Sequence, residues 1–200
     1  MRCGGFRLRC PGRAGWPTNK LGRMRTISAS RCTLEPQVAA HAHEMFGVLC
    51  DPAIYEFENE PPATEAWLEH RFARLEARGS PDGSQGWLNW VVRLPGGELA
   101  GYVQATVVPS GVSYIAYELA SRFWRQGIGG SAVAAMMQEL QSHYRVQTFV
   151  AVLKAANYRS RGLLSSLRFQ EASANQVVEF GAEPDEVTLV KPATGGENAA

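Results

Sequence analysis

Two hydrophobic periods alternate along this chain, one helical and one strand-like. Cys32-Thr33-Leu34-Glu35 reads as a short strand, and Pro36 is then expected to open a helix at a position that tolerates proline. Val38, Ala42, Met45 and Leu49 fall on one helical face, which Asp51-Pro52 ends. A second helix is expected from Thr64 to Arg78, with Leu68, Phe72 and Leu75 inward and Gly79 as its stop. Between the two lies an acidic and aromatic loop, Glu56 to Pro62. Past the polar loop Ser80 to Gly86, three strands are expected: Trp87 to Leu94, Glu98 to Val108 and Val112 to Leu119. Their linkers, Pro95-Gly96-Gly97 and Pro109-Ser110-Gly111, have turn chemistry short enough for antiparallel hairpins. Ile128, Ala132, Ala135, Met136 and Leu140 mark the inner face of a helix that runs to Tyr144. Gln147 to Lys154 is mostly apolar and therefore reads as a central strand. Asn157 to Leu167 is helical, and Val177 to Phe180 with Val187 to Val190 are expected to close the sheet as a strand pair.

The resulting order, β-α-α-β-β-β-α-β-α-β-β, is a mixed α/β layout, neither a barrel nor a doubly wound sheet. Two hundred residues suit one domain, here expected over residues 26–191, with a frayed tail at 192–200. Charge divides the chain unevenly. Seven Lys or Arg and no acid precede residue 26, and thirteen basic and nineteen acidic residues follow. Residues 1–25, rich in Gly, Pro and Arg, read as a disordered basic extension, or as the product of an upstream start with Met24 as the original one. The acidic body argues against a nucleic-acid surface and suits a cationic acceptor. No apolar run reaches the roughly 20 residues of a membrane span. Cys3, Cys10, Cys32 and Cys50 have no C-x-x-C spacing, so a reduced, cytoplasmic protein is expected. No metal site is expected, because His41 and His43 of His41-Ala42-His43-Glu44 point to different faces of a helix.

The chemistry concentrates in Trp124-Arg125-Gln126-Gly127-Ile128-Gly129-Gly130, between the strand ending at Leu119 and the helix ending at Tyr144. Glycines let the backbone approach a ligand closely, and the helix start offers unpaired N–H groups to phosphate. A P-loop is excluded because no lysine follows these glycines. Gly127-x-Gly129-x-x-Ala132 matches the dinucleotide fingerprint, but no acid stands in Val146 to Lys154, and the turn follows antiparallel strands.

Coenzyme A remains, and here the chain resembles the GNAT family of N-acetyltransferases. Trp124 to Gly129 after Tyr117-Glu118-Leu119 is similar to the family's acyl-CoA motif. Trp124 stands at its first position, where Gln or Arg is common, as in the branch that includes the ribosomal-protein N-terminal acetyltransferases. Ala156-Asn157-Tyr158-Arg159-Ser160, leading to Leu163-Leu164 and Leu167-Arg168-Phe169, resembles the second motif. The resemblance spans roughly residues 31–170. Arg168 replaces a glycine that would suit the left-handed end of the helix, and Leu164 stands where many relatives carry a tyrosine acid.

The resemblance implies a central, mainly antiparallel mixed sheet of six to seven strands flanked by about four helices. It implies acetyl-CoA as co-substrate and an acetyl transfer to a primary amine, on a small molecule or a protein N-terminus. The alternative is a CoA-binding regulatory module without turnover, and a homodimer is left open. Backbone groups of Arg125, Gln126, Gly127, Ile128, Gly129 and Gly130 would take the pyrophosphate, with Arg122, Arg125, Arg159 or Arg161 on the remaining phosphate. A backbone N–H near Leu119 would polarise the thioester carbonyl, and Asn157 would cap the last helix or contact pantetheine. Glu118 is the candidate base. Ser160 is the candidate acid near the departing sulfur, with Tyr117 and Tyr158 as weaker alternatives.

Overall fold

The computed structural model describes residues 24–193; the expected disorder of the extension up to residue 23 and the fraying after 193 lie outside them. Eight strands form one sheet in the order β1-β2-β3-β4-β5-β6-β8-β7. They are β1 Ile27–Ser28, β2 Thr33–Pro36, β3 Gly86–Arg93, β4 Leu99–Val107, β5 Val112–Leu119, β6 Thr148–Lys154, β7 Gln170–Glu171 and β8 Glu186–Pro192. Every neighbouring pair is antiparallel except β5 and β6. Five α-helices accompany the sheet: α1 Ala42–Leu49, α2 Glu65–Leu75, α3 Ile128–Tyr144, α4 Tyr158–Ser166 and α5 Ala174–Phe180.

The architecture is the mixed, mainly antiparallel sheet that the resemblance implied, with eight strands instead of six to seven. Val177 to Phe180 is not a strand. Ser173 and Gln176 form a reciprocal capping box that starts α5, and Phe180 packs against Tyr114 on its inner side. Two-residue strands β1 and β7 add the difference. Pro36 does not open a helix either. It is the last residue of β2, opposite Trp90, and its missing N–H costs nothing because β1 covers β2 only as far as Leu34. The helix begins later, after a single 3₁₀ turn at Ala39–His41.

The pleat of β4 sorts its side chains. Val103, Ala105 and Val107 are buried in the main core, which includes Ile128, Val133, Met136 and Leu140 of α3. Tyr102, Gln104 and Thr106 face the other way, toward the cavity beneath α2. The helix-to-sheet connection that matters most is the end of α4. Phe169 N–H bonds the Leu164 carbonyl and Arg168 N–H bonds the Ser165 carbonyl, the two bonds of a Schellman motif, with Arg168 left-handed at φ +65°. The arginine therefore adopts the conformation that a glycine would favour, and the buried pair Leu164 and Phe169 closes the turn.

Candidate active site

β5 and β6 pair in parallel only from Val112 to Tyr114 and from Thr148 to Val150. Beyond that the strands separate, although β5 continues to Leu119 and β6 to Lys154. On its other side β5 stays fully paired with β4. The Ala120 N–H bonds the Ala100 carbonyl, and in an antiparallel ladder the bonded residues alternate. The backbone groups of Glu118 and Ala116 are thus spent on β4, while those of Tyr117 and Leu119 face the gap. The Leu119 carbonyl takes the indole N–H of Trp124 at 2.7 Å, so its own N–H is the donor left at the gap.

At the end of this gap lies the start of α3. Arg125 and Gly127 are both left-handed, at φ +58° and +74°, and flank Gln126. Such a turn points successive N–H groups into one concavity. The first i→i−4 bond of α3 is Ser131 N–H to the Gly127 carbonyl, which leaves the N–H groups of Ile128, Gly129 and Gly130 without intrahelical partners. Glycine has a separate reason at each position. A Cβ on Gly127 would stand 3.0 Å from Arg31 Nε, and one on Gly129 3.0 Å from Leu163 Cδ1. A Cβ on Gly130 would meet nothing within 4 Å. The cradle therefore fits the pyrophosphate of coenzyme A, and Arg31 brings a guanidinium to its edge.

A cavity of about 890 Å³ joins this cradle to the space beneath α2. Glu118, Leu119, Arg125, Gly127 to Gly130, Asn157 and Ser160 all line it. Gln126 does not line it, nor do Arg122 and Arg161. The Gln126 side chain turns back to the Arg122 carbonyl at 2.8 Å, leaving only its backbone to the turn. Asn157 caps α4, its Oδ1 accepting from Ser160 N–H at 3.0 Å. Tyr117 donates to the Ser160 carbonyl at 3.4 Å, and burial pushes its phenol up to about 12. Leu164 is buried at the place where a tyrosine acid was in question.

Glu118 is half-buried on the cavity side of β5, directly opposite Tyr102 on β4. Burial raises its carboxyl from 4.5 to about 7, against the opposing pull of a hydrogen bond from Tyr102 and the charge of Arg71. Gly101 makes this placement possible, because a Cβ there would lie 2.0 Å from the Glu118 carbonyl oxygen. Glu58 also faces the cavity and is raised, by burial first and then by the charge of Glu186.

Of the arginines considered for the remaining phosphate, Arg159 pairs with Glu56 at 2.5 Å and lies 4.5 Å over the Trp124 ring. Arg161 pairs with Glu171 at 3.0 Å, and Arg122 reaches Glu98 at 3.6 Å. Arg125 lines the cavity with an exposed side chain. Sequence reading missed Gly101, Tyr102 and Arg31, none of which belongs to a motif. Among the described residues no cluster of three or more His, Cys, Asp or Glu could hold a metal, and no helix is long and apolar enough to cross a membrane.

A family model described as "Acetyltransferase (GNAT) domain" matches residues 31–170. A search of the curated proteins found no match. Among solved structures, the ribosomal-protein-S5-alanine acetyltransferase from Vibrio fischeri superposes with a TM-score of 0.69 at 16% identity, covering 86% of this chain and 98% of its own. RimJ of Mycobacterium smegmatis, in complex with CoA-disulfide, gives 0.69 at 18% identity over 84% of this chain and 88% of its own. RimL in complex with coenzyme A gives 0.69 at 16% identity over 84% and 98%. At these identities the likeness is one of fold.

Proposed function

We propose that this chain, which belongs to the GNAT acetyltransferase family, transfers the acetyl group of acetyl-CoA to a primary amine by direct attack of that amine. Acetyl-CoA, when bound, supplies an activated thioester. The chain's own residues supply the rest. The N–H groups of Gln126 to Gly130 hold the pyrophosphate, and Arg31 and Arg125 stand beside them for the remaining phosphate. The gap between β5 and β6 takes the pantetheine arm, with the Leu119 N–H aimed at the thioester carbonyl as an oxyanion donor. As the C–N bond forms and the C–S bond breaks, the amine proton passes to Glu118, directly or through water, and the departing sulfur takes a proton that the Ser160 hydroxyl relays from water.

The observation that carries this reading is the parting of β5 from β6 beyond Tyr114, which leaves the Leu119 N–H and the Glu118 carboxyl, raised by burial to about 7, on one cavity with the α3 cradle. A base of that pKa is matched to its acceptor. Neutralising an α-ammonium of pKa about 7.9 costs about 3 kcal/mol less than neutralising a lysine ammonium near 10.4, which leaves such a base an easy task. The match favours an α-amine, which agrees with the ribosomal-protein N-terminal acetyltransferases among the structural relatives.

Thiol release from acetyl-CoA over a panel of amines tests the proposal. The expected kcat/KM rises with pH on an acid limb near pH 7, and Glu118→Gln removes that limb and lowers kcat by about 10² or more while the CoA Kd stays put. Tight CoA binding with no turnover on any amine would leave a CoA-binding module in place of an enzyme.

A further inference from the structure

The cavity floor beneath α2 is polar where a covered sheet face is normally apolar. Asn89, Gln104 and Ala116 stand opposite one another on β3, β4 and β5, and the adjacent row is Val91, Tyr102 and Glu118. Leu68, Phe72 and Leu75 of α2 roof this floor, and Asn89 beneath them is only 4% exposed. Gln37, just past β2, is 2% exposed on the same cavity wall, and its Nε2 has no hydrogen-bond partner. Folding rarely leaves a buried amide nitrogen unsatisfied, and such a group calls for an explanation in the site it borders. The last torsion of a glutamine side chain is broad, so rotation of this amide presents its donor or its acceptor to the cavity.

We infer that Gln37, Asn89 and Gln104 form a subsite that binds a neutral amide of the acceptor, set apart from the amine that reacts at Glu118. The inference rests on the reading of Glu118 as facing that amine. Three carboxamides offer both donors and acceptors, the complement of a peptide or carboxamide group. The spacing fixes what can span the two. Gln104 lies two residues along β4 from Tyr102, about 6.8 Å, and Asn89 lies one strand farther across, about 4.8 Å. An amide two backbone units from the reacting amine reaches both. The sheet rows beyond Glu118 offer a second ammonium no carboxylate: the cavity's other acids, Glu58 and Glu60, stand on the loop before α2 rather than on this floor, and Arg71 of α2 lines the same cavity.

The test compares initial rates with acetyl-CoA for glycylglycinamide, glycylglycine, 1,5-diaminopentane and hexylamine. With kcat/KM referred to the free-amine concentration, which removes the difference in amine basicity, glycylglycinamide is expected to exceed hexylamine and 1,5-diaminopentane by about tenfold, the equivalent of one well-made hydrogen bond. Asn89→Leu and Gln104→Leu should each lower the ratio of glycylglycinamide to hexylamine about tenfold, through KM, with the CoA Kd reporting an intact fold. Gln104→Glu should turn the preference toward 1,5-diaminopentane. Equal rates on all four amines would overturn the subsite and leave acetyl transfer standing, and a preference for glycylglycine would replace the neutral amide with a carboxylate held by Arg71. Should no amine turn over, the reaction reading fails by itself, and calorimetry of glycylglycinamide on the CoA-loaded protein still decides the subsite. No binding, or a Kd unchanged in both leucine variants, would overturn it.

Discussion

Replacing Glu118 by glutamine should make the protein more stable at pH 8 while it disables the site. In the folded chain the carboxyl keeps its proton up to about pH 7; in the unfolded chain it loses it near 4.5. Between those values the folded state binds more protons, so stability falls as pH rises through the window, and the loss is complete above pH 7. The difference between the folded and unfolded values corresponds to about 3 kcal/mol, an upper figure because the side chain is only half-buried. Glutamine accepts the same hydrogen bond from Tyr102 without a charge to desolvate. Glu118→Gln is therefore expected to gain up to about 3 kcal/mol at pH 8, a rise in Tm of roughly 6–12 °C for a chain of this length. At pH 4.5, where both side chains are neutral, the two proteins should melt together. Scanning calorimetry at the two pH values measures the difference directly. A Tm gap that is the same at both pH values, or a loss of stability at pH 8, would refute the claim that burial holds this carboxyl near 7.

Two further substitutions probe the cradle and the end of α4. Gly130→Asp should fold normally, since its Cβ meets nothing within 4 Å and an acid in the first turn of α3 favours the helix dipole. It should nevertheless weaken CoA by at least tenfold in calorimetry, through charge repulsion that Gly130→Ala lacks; equal CoA affinities would remove the pyrophosphate from this turn. Gly129→Asp is a poorer probe, because its Cβ would press on Leu163 at 3.0 Å and mix folding with binding. Arg168→Gly should relieve a left-handed arginine and raise stability by about 1 kcal/mol, or roughly 2–4 °C in Tm, with kcat unchanged; an unaltered Tm would show that the Schellman turn is unstrained.

What could be read from the chain and what could not divide along a physical line. Val112 to Leu119 and the helix ending at Tyr144 were legible because their periods run over eight residues or more. The two-residue strands β1 and β7 exist only because β2 and β8 offer them an edge, so no local pattern announces them. Val177 to Phe180 failed for a different reason. The apolar pair Val177 and Val178 suggests a strand, yet Ser173 and Gln176 carry a helix start that was visible in sequence and outweighs it. The cradle was readable because it is contiguous. The polar floor is not, since Gln37, Asn89 and Gln104 come from three strands or their ends, and along β4 alone an alternation of Tyr102, Gln104 and Thr106 looks like an ordinary solvent face.

Two of the three departures from the family motifs, Trp124 and Arg168, have local answers that lie close together in the fold. Trp124 at the head of the glycine turn spends its indole N–H on the Leu119 carbonyl, which fixes the last residue of β5 and turns that residue's N–H into the gap. Its ring receives Arg159 at 4.5 Å, and Arg159 in turn holds Glu56 of the loop before α2. Phe57 packs edge-on against Tyr158 in the same contact. A glutamine or arginine at position 124 would supply hydrogen bonds or charge without the aromatic π face that draws in the Arg159 cation. Arg168 matters at the other end of α4. By accepting a left-handed backbone it keeps Leu164 and Phe169 buried, and so holds in place the helix whose first turn carries Asn157, Arg159 and Ser160. Trp124 and Arg168 thus constrain the same helix from opposite ends. The alignment of α4 with the open end of β5 is what brings Ser160 and Glu118 to one cavity.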